Sequence, residues 1–274
     1  MTRCLRTRGL PLALLPFLVS PCLWSQAQPQ MTPEQMENFL KTAKILKTKP
    51  ASKGTTGTLR GTLSDGTLTH DAHIQSIDES KTDFAGANGT HEFNFRDTYK
   101  FNIAAYRLAL LLGMDMVPMY VERNIQGKPS SVSWWVDNVQ FDEEQRLRDK
   151  IEPPDQDAWN AQLYTYRVFD QLVYNTDSNL TNLLIDKNWK VWKIDHTRAF
   201  RLQHNLLNAK NLVKCDKDLL QKMKDLNEET MLKAMQPWCK KDEIKAVLAR
   251  RDLIVKFFED QVRQKGEAAV LYTR

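Results

Sequence analysis

Between residues 173 and 196 the chain reads Val-Tyr-Asn-Thr-Asp177-Ser-Asn-Leu-Thr-Asn182-Leu-Leu-Ile-Asp and, shortly after, Trp192-Lys-Ile-Asp195-His. Phosphoryl transfer uses such a set: one carboxylate to orient or deprotonate an acceptor hydroxyl, and an amide oxygen with a second carboxylate to hold a metal on the phosphates. Magnesium prefers hard oxygen ligands of this kind. The plainer reading of Asp177, Asn179 and Asn182 is an Asx-rich turn, because Asp and Asn favour turns for their local hydrogen bonds. The Ile194-Asp195 step downstream and the helix upstream are what favour chemistry. A calcium loop is excluded, since Asn182 replaces its required glycine and Asn188 its bidentate glutamate.

These residues need a scaffold, and the flanking patterns supply one. Trp159, Leu163, Tyr166, Phe169 and Val173 share one helical face before the segment. A short hairpin follows Asn182, Leu183 to Ile185 and Val191 to Ile194, turning at Asp186-Lys187-Asn188. Further back, Phe101, Ala104, Ala105, Leu108, Leu111 and Leu112 predict a helix over 98–112 that stops at Gly113. Thr32 and Pro33 open a short amphipathic helix over 31–48, with Lys47 to Gly54 as a linker. Asp65-Gly66 predicts a hairpin. Strands are expected at Met116 to Arg123 and Ser131 to Asp137, then a charged connector over Phe141 to Asp155. Helices resume from Asp216, the last spanning Asp242 to Gln264.

The Asp-x4-Asn spacing, the hydrophobic hairpin and the apolar-Asp step resemble the catalytic and metal-binding loops of the protein-kinase-like superfamily. Asn175-Thr-Asp177 before Asn182, with Ile194-Asp195-His196-Thr-Arg-Ala-Phe200 as the metal loop, is similar to its atypical branch: phosphoinositide-kinase, HipA-like and secretory-pathway kinase groups. The resemblance implies an α+β bilobal kinase-like fold, with a nucleotide-covering antiparallel-sheet lobe over 55–137, a helical catalytic lobe over 138–274 and a hinge near Val136-Asp137. It makes Asp177 the catalytic carboxylate, Asn182 and Asp195 the ligands of Mg²⁺ (or Mn²⁺), and ATP the phosphate donor. Lys81 is carried over as a phosphate contact, displaced from the expected strand position, where Gln75 or Ser76 stands. Asn102 occupies the place of the helix glutamate that normally pairs the lysine, and Ser178 that of an arginine. Gly54, Gly57 and Gly61 are too sparse for a glycine-rich loop and offer only backbone contacts. An exported kinase with an unidentified phosphate acceptor is the leading expectation. A pseudokinase-type binding protein without phosphotransfer is the alternative.

The 274 residues are 42% hydrophobic and 27% charged, a globular composition that excludes disorder and low-complexity readings. The net charge of +5 includes Arg3, Arg6 and Arg8, and no dense basic stripe of the kind nucleic-acid binding requires is present. Residues 1–27 read as a secretory signal peptide: a basic start, an apolar stretch from Leu10 to Trp24 broken by three prolines, and a small-residue exit at Ser25-Gln26-Ala27. The helix and linker fill 28–54, and no later window is apolar enough for an integral membrane span. Cys215 and Cys239 are either bridged or separate buried thiols. His70 and His73 are expected to be solvated strand residues, and Arg250, Arg251, Lys240 and Lys241 a wet helical face. Of Trp134 and Trp135, one is expected in the core.

Overall fold

The computed structural model describes residue 1 and residues 31–51, 57–85 and 91–273; the leader and Gly54 lie outside the described residues. Thr32 and Gln35 form a reciprocal capping box that starts α1 (Pro33–Thr42). Strand β1 (Lys44–Pro50) follows at once. The predicted helix is thus shorter, and its last residues and half of the expected linker are strand, because pairing to β2 (Leu59–Ser64) supplies the ladder bonds. Between β2 and β3 (Thr69–Gln75), Asp65 Oδ1 accepts from the backbone N–H groups of Thr67 and Leu68, making the expected hairpin.

Strands β4 (Asp78–Ala85) and β5 (His91–Thr98) form a separate antiparallel ribbon. Their alternation is mostly polar, which is why no apolar periodicity announced them. Helix α2 (Lys100–Leu111) matches its prediction, and Gly113 turns the chain with a φ of 62°. Strands β6 (Tyr120–Ile125) and β7 (Lys128–Trp134) hairpin through Gln126-Gly127, both at positive φ. The main sheet has the order β1-β2-β3-β7-β6, and α1 and α2 both pack against β6 and β7. Phe39, Leu40, Ile103 and Leu108 fill that interface, each stabilising by roughly 1.5–3 kcal/mol of burial.

The expected charged connector holds β8 (Val139–Asp142) and α3 (Glu143–Arg148), capped by Asp142. Helix α4 (Gln156–Val173) leads to the functional loop, followed by β9 (Leu183–Asp186) and β10 (Val191–Lys193), which join β8 in a three-stranded sheet. Next come β11 (Cys215–Asp216), α5 (Lys217–Asp225), α6 (Glu228–Met235), α7 (Lys241–Lys265), α8 (Glu267–Val270) and β12 (Leu271–Tyr272). Helix α7 packs on α4, α5 and α6, and β12 pairs in parallel with β11. The molecule is therefore α+β, an antiparallel-sheet lobe with a helical part. No helix among the described residues is long and apolar enough to cross a membrane.

Two surface expectations are corrected. Arg250 is fully buried: its guanidinium donates to the carbonyls of Leu172, Arg201 and Gln203, and burial lowers its pKa to about 10. Arg251 donates to the carbonyls of Met223 and Leu226. Cys215 and Cys239 are both buried and no bond joins them; burial, and then Glu243, raise the Cys239 thiol well above its usual range.

Candidate active site

Helix α4 ends where Tyr174 takes the left-handed conformation, φ 51°. Buried Asn175 then accepts the Asp177 N–H through its side-chain oxygen at 3.2 Å, which turns the chain so that Asp177 faces a cavity of about 510 Å³. Asp177 Oδ1 accepts from Asn179 Nδ2 at 2.9 Å. Asn182 ends a single 3₁₀ turn and points its Nδ2 at the Asp177 carbonyl, 3.5 Å away, leaving Oδ1 as the acceptor. The carbonyl of Asn182 accepts from Ile194 N at 3.0 Å, which sets the Asp195 loop beside it. Asp195 is left-handed, φ 58°, a conformation Asp tolerates better than most residues but one that still costs of order 1 kcal/mol. Its Oδ1 accepts from the Thr197 hydroxyl at 3.0 Å.

Asp177, Asn182 and Asp195 thus line one cavity. Lys81 does not join them. It extends from exposed β4, 3.4 Å from Glu79 and over the ring of Phe84, and it lines a separate cavity of about 260 Å³. The reason is that β3 ends at Gln75 and the chain enters the separate ribbon before Lys81 is reached.

Gln75 and Asn102 are both buried and meet directly: Asn102 Nδ2 donates to Gln75 Oε1 at 2.9 Å. Asn102 Oδ1 accepts the His196 N–H at 2.7 Å, tying α2 to the metal loop. A pair of neutral amides therefore stands where the resemblance leads one to look for a Lys–Glu ion pair. Ser178 is also accounted for: its hydroxyl bonds Asp170, meets Tyr166 Oη at 2.9 Å and accepts from fully buried Lys193 Nζ at 3.4 Å. Burial, and then Asp170, raise the Tyr166 hydroxyl pKa. His196 is buried against the edge of Phe169, and burial followed by the Lys193 charge holds its ring neutral.

The cavity is divided in character. Pro118, Trp135, Val136, Phe141, Leu184 and Ile194 give an apolar wall beside the carboxylates. Trp134 also lines it, stacked on His70 at 3.8 Å, and Arg60 backs the Trp135 ring at 4.2 Å. His70, on the half-exposed side of β3, meets exposed Asp137 at 2.8 Å, whereas His73, contrary to expectation, lines the cavity, and burial lowers its pKa against the opposing pull of Asp195. Burial and the Asp195 charge likewise raise the Tyr120 hydroxyl. Sequence reasoning missed Asp97 and Arg198, which pair at 2.9 Å on the cavity wall; the Asp lies in a polar strand and the Arg in a loop, so no periodicity marked either.

Among the described lining residues, Asp97, Asp177 and Asp195 face a single Lys/Arg side chain, Arg198. No three His, Cys, Asp or Glu side chains among the described residues converge into a metal cage. One carboxylate, Asp195, and one amide oxygen, Asn182 Oδ1, with room for further oxygens is a donor set that suits Mg²⁺ or Mn²⁺ held partly by phosphate and water. The charge imbalance also favours a cation.

No family model matches the chain, and no curated protein matches it in sequence. Solved structures do match. A Fam20 protein of hydra, determined with sugar, superposes with a TM-score of 0.65 at 15% identity, covering 88% of this chain and 92% of that one. The fold is that of the atypical protein kinases. The Golgi casein kinase superposes on the same fold with a TM-score of 0.61 at 13% identity, covering 89% of this chain and 81% of that one. A second structure of that enzyme, with Mn/ADP bound, gives 0.61 at 12% identity over 88% and 79% of the two chains. In this fold the segments that carry Asn182 and Asp195 adjoin, as the bond from Ile194 N to Asn182 O shows.

Proposed function

We propose that the protein is a divalent-metal-dependent ATP phosphotransferase acting on an alcohol hydroxyl. The observation that carries this reading is the convergence of Asp177, Asn182 and Asp195 on one cavity with an apolar wall. Asp177 orients the acceptor hydroxyl and takes its proton. Asn182 Oδ1 and the Asp195 carboxylate hold Mg²⁺ or Mn²⁺, and the wall from Trp135 to Ile194 takes the base. The metal, when bound, neutralises charge on the phosphates. Structures of the Golgi casein kinase with Mn/ADP support a nucleotide and a metal as ligands. The leader over 1–27 belongs to the same reading and directs the protein to an exported compartment supplied with nucleotide.

The neutral Gln75–Asn102 pair favours a second reading, a pseudokinase-type protein that uses the cleft for binding alone. One experiment separates them. The chain from Gln28 onward is titrated with ATP and Mg²⁺ or Mn²⁺ in a thermal-shift assay beside Asp195→Ala, then assayed for phosphate transfer to water and hydroxyl acceptors. Nucleotide at about 100 times its Kd stabilises by about 2.7 kcal/mol. A metal-dependent shift lost in the variant, with transfer, supports the kinase; no shift, or a shift without transfer, removes the kinase and supports the binding protein.

A further inference from the structure

We infer that Arg198 is the phosphate-binding cation of this cleft, aimed by Asp97 and replacing the charge that the Gln75–Asn102 pair does not carry. The inference rests on the nucleotide reading above and names a residue for it. A nucleotide polyphosphate carries more negative charge than one divalent metal cancels, so it needs a cationic donor from the protein as well. The strand position that faces α2 is Gln75, whose Oε1 is committed to Asn102, and neither amide lines the cavity. The other basic side chains nearby are engaged elsewhere: Lys81 in its separate cavity, Arg60 against Trp135 and Asp71. His73 is held toward the neutral form by burial.

Arg198 has what the task needs. It lines the cavity, its side chain is 34% exposed, and it follows Asp195 by three residues on the same loop. Its Nε donates to Asp97 Oδ2 at 2.9 Å, and Asp97 is only 3% exposed, so the guanidinium plane is anchored from one side. Its Nη1 lies 3.8 Å from Asp177 Oδ2, beyond hydrogen-bond reach, so the Nη edge makes no hydrogen bond among the described residues. A guanidinium edge that is ion-paired to the acceptor-orienting carboxylate at 3.8 Å but makes no hydrogen bond to it is a planar, multi-donor site that matches phosphate oxygens. Asp97 supplies an independent observation. Among the described residues its Oδ1 is buried without a hydrogen-bond partner and Arg198 is its one ion-pair partner, so the carboxylate holds Arg198 for the cleft.

The test compares ADP with adenosine, which differ only in the phosphates, by calorimetric titration with Mg²⁺ present. Because Arg198→Gln alone leaves Asp97 buried and unpaired, the variant is Arg198→Gln with Asp97→Asn. The expected result is an ADP affinity about 10- to 100-fold below that of the parent, the range lost with a hydrogen bond to a charged group, and an unchanged adenosine affinity. An ADP preference equal to the parent's overturns the assignment, as does an equal loss for both ligands, which marks a structural role. Should the double variant not fold, Arg198→Lys keeps a charge beside Asp97 but loses the fork. It is expected to lose several-fold of the ADP preference, and an undiminished preference again overturns the assignment. A parent protein that binds neither ligand defeats the nucleotide reading itself, an outcome distinct from failure of Arg198 alone.

Discussion

In the proposed function Asp195 has two requirements that a single side chain must meet: a hard oxygen for a metal and tolerance of a φ of 58°. Asparagine meets the second at least as well as aspartate and removes the charge. Asp195→Asn is therefore expected to melt within about 0.5 kcal/mol of the parent while losing its metal-dependent response to ATP. Differential scanning fluorimetry with and without Mn²⁺ reads both. Asn102 is the contrasting case, a residue with a purely internal role. Asn102→Leu leaves the Gln75 Oε1 and the His196 N–H without their partner inside the protein, at about 1–3 kcal/mol each. Urea denaturation should show a stability loss of that order; a loss under about 0.5 kcal/mol would mean the amide link to the metal loop contributes nothing. Lys81→Ala, by its position on the exposed ribbon, is expected to leave nucleotide affinity unchanged in the same calorimetric titration.

Elements were legible in proportion to their apolar periodicity. Helix α2 was readable because its buried face is almost entirely Phe, Ile, Ala and Leu, and α4 because Trp159, Phe169 and Val173 recur at helical spacing. Strands β4 and β5 were not, since most of their side chains are charged or polar, their few phenylalanines are too sparse to mark a strand, and the two pair with each other. Strand β8 was hidden inside a charged stretch; it exists because β9 offers it a partner. Gly113 shows how an element boundary is written in one residue: at φ 62° it ends α2, and a Cβ there would also meet Lys222 Nζ. Gly113→Ala is expected to cost about 1–2 kcal/mol, measured by thermal unfolding, most of it from the left-handed backbone because the lysine tip is free to move.

At the scale of the whole molecule, Arg250 joins three parts. From α7 it donates to Leu172 at the end of α4 and to Arg201 and Gln203 beyond the metal loop. Arg250→Met keeps much of the volume but leaves the buried carbonyls of Leu172 and Arg201 without this donor, at about 1–3 kcal/mol for each group left unsatisfied. Chemical denaturation is expected to show several kcal/mol of destabilisation, and limited proteolysis to cut first between residues 201 and 214. An unchanged denaturation midpoint would remove Arg250 from this role.

Local chemistry was legible along the chain: the Asp177-x4-Asn182 loop, the apolar step into Asp195, the helices on either side and the absence of a lysine and a glutamate at the usual places. Those are properties of neighbours along the chain, carried by spacing and side-chain type. Only the tertiary structure decided that Gln75 and Asn102 pair, that Lys81 stands apart, that Asp97 holds Arg198 beside Asp177, and that Arg250 is buried. Each of those joins residues separated by 27 to 101 positions or depends on which face of an element is covered, as burial does for Arg250. Polar residues carry no periodic signal of such meetings, because a hydrogen bond between distant groups is fixed by how the sheet and helices pack.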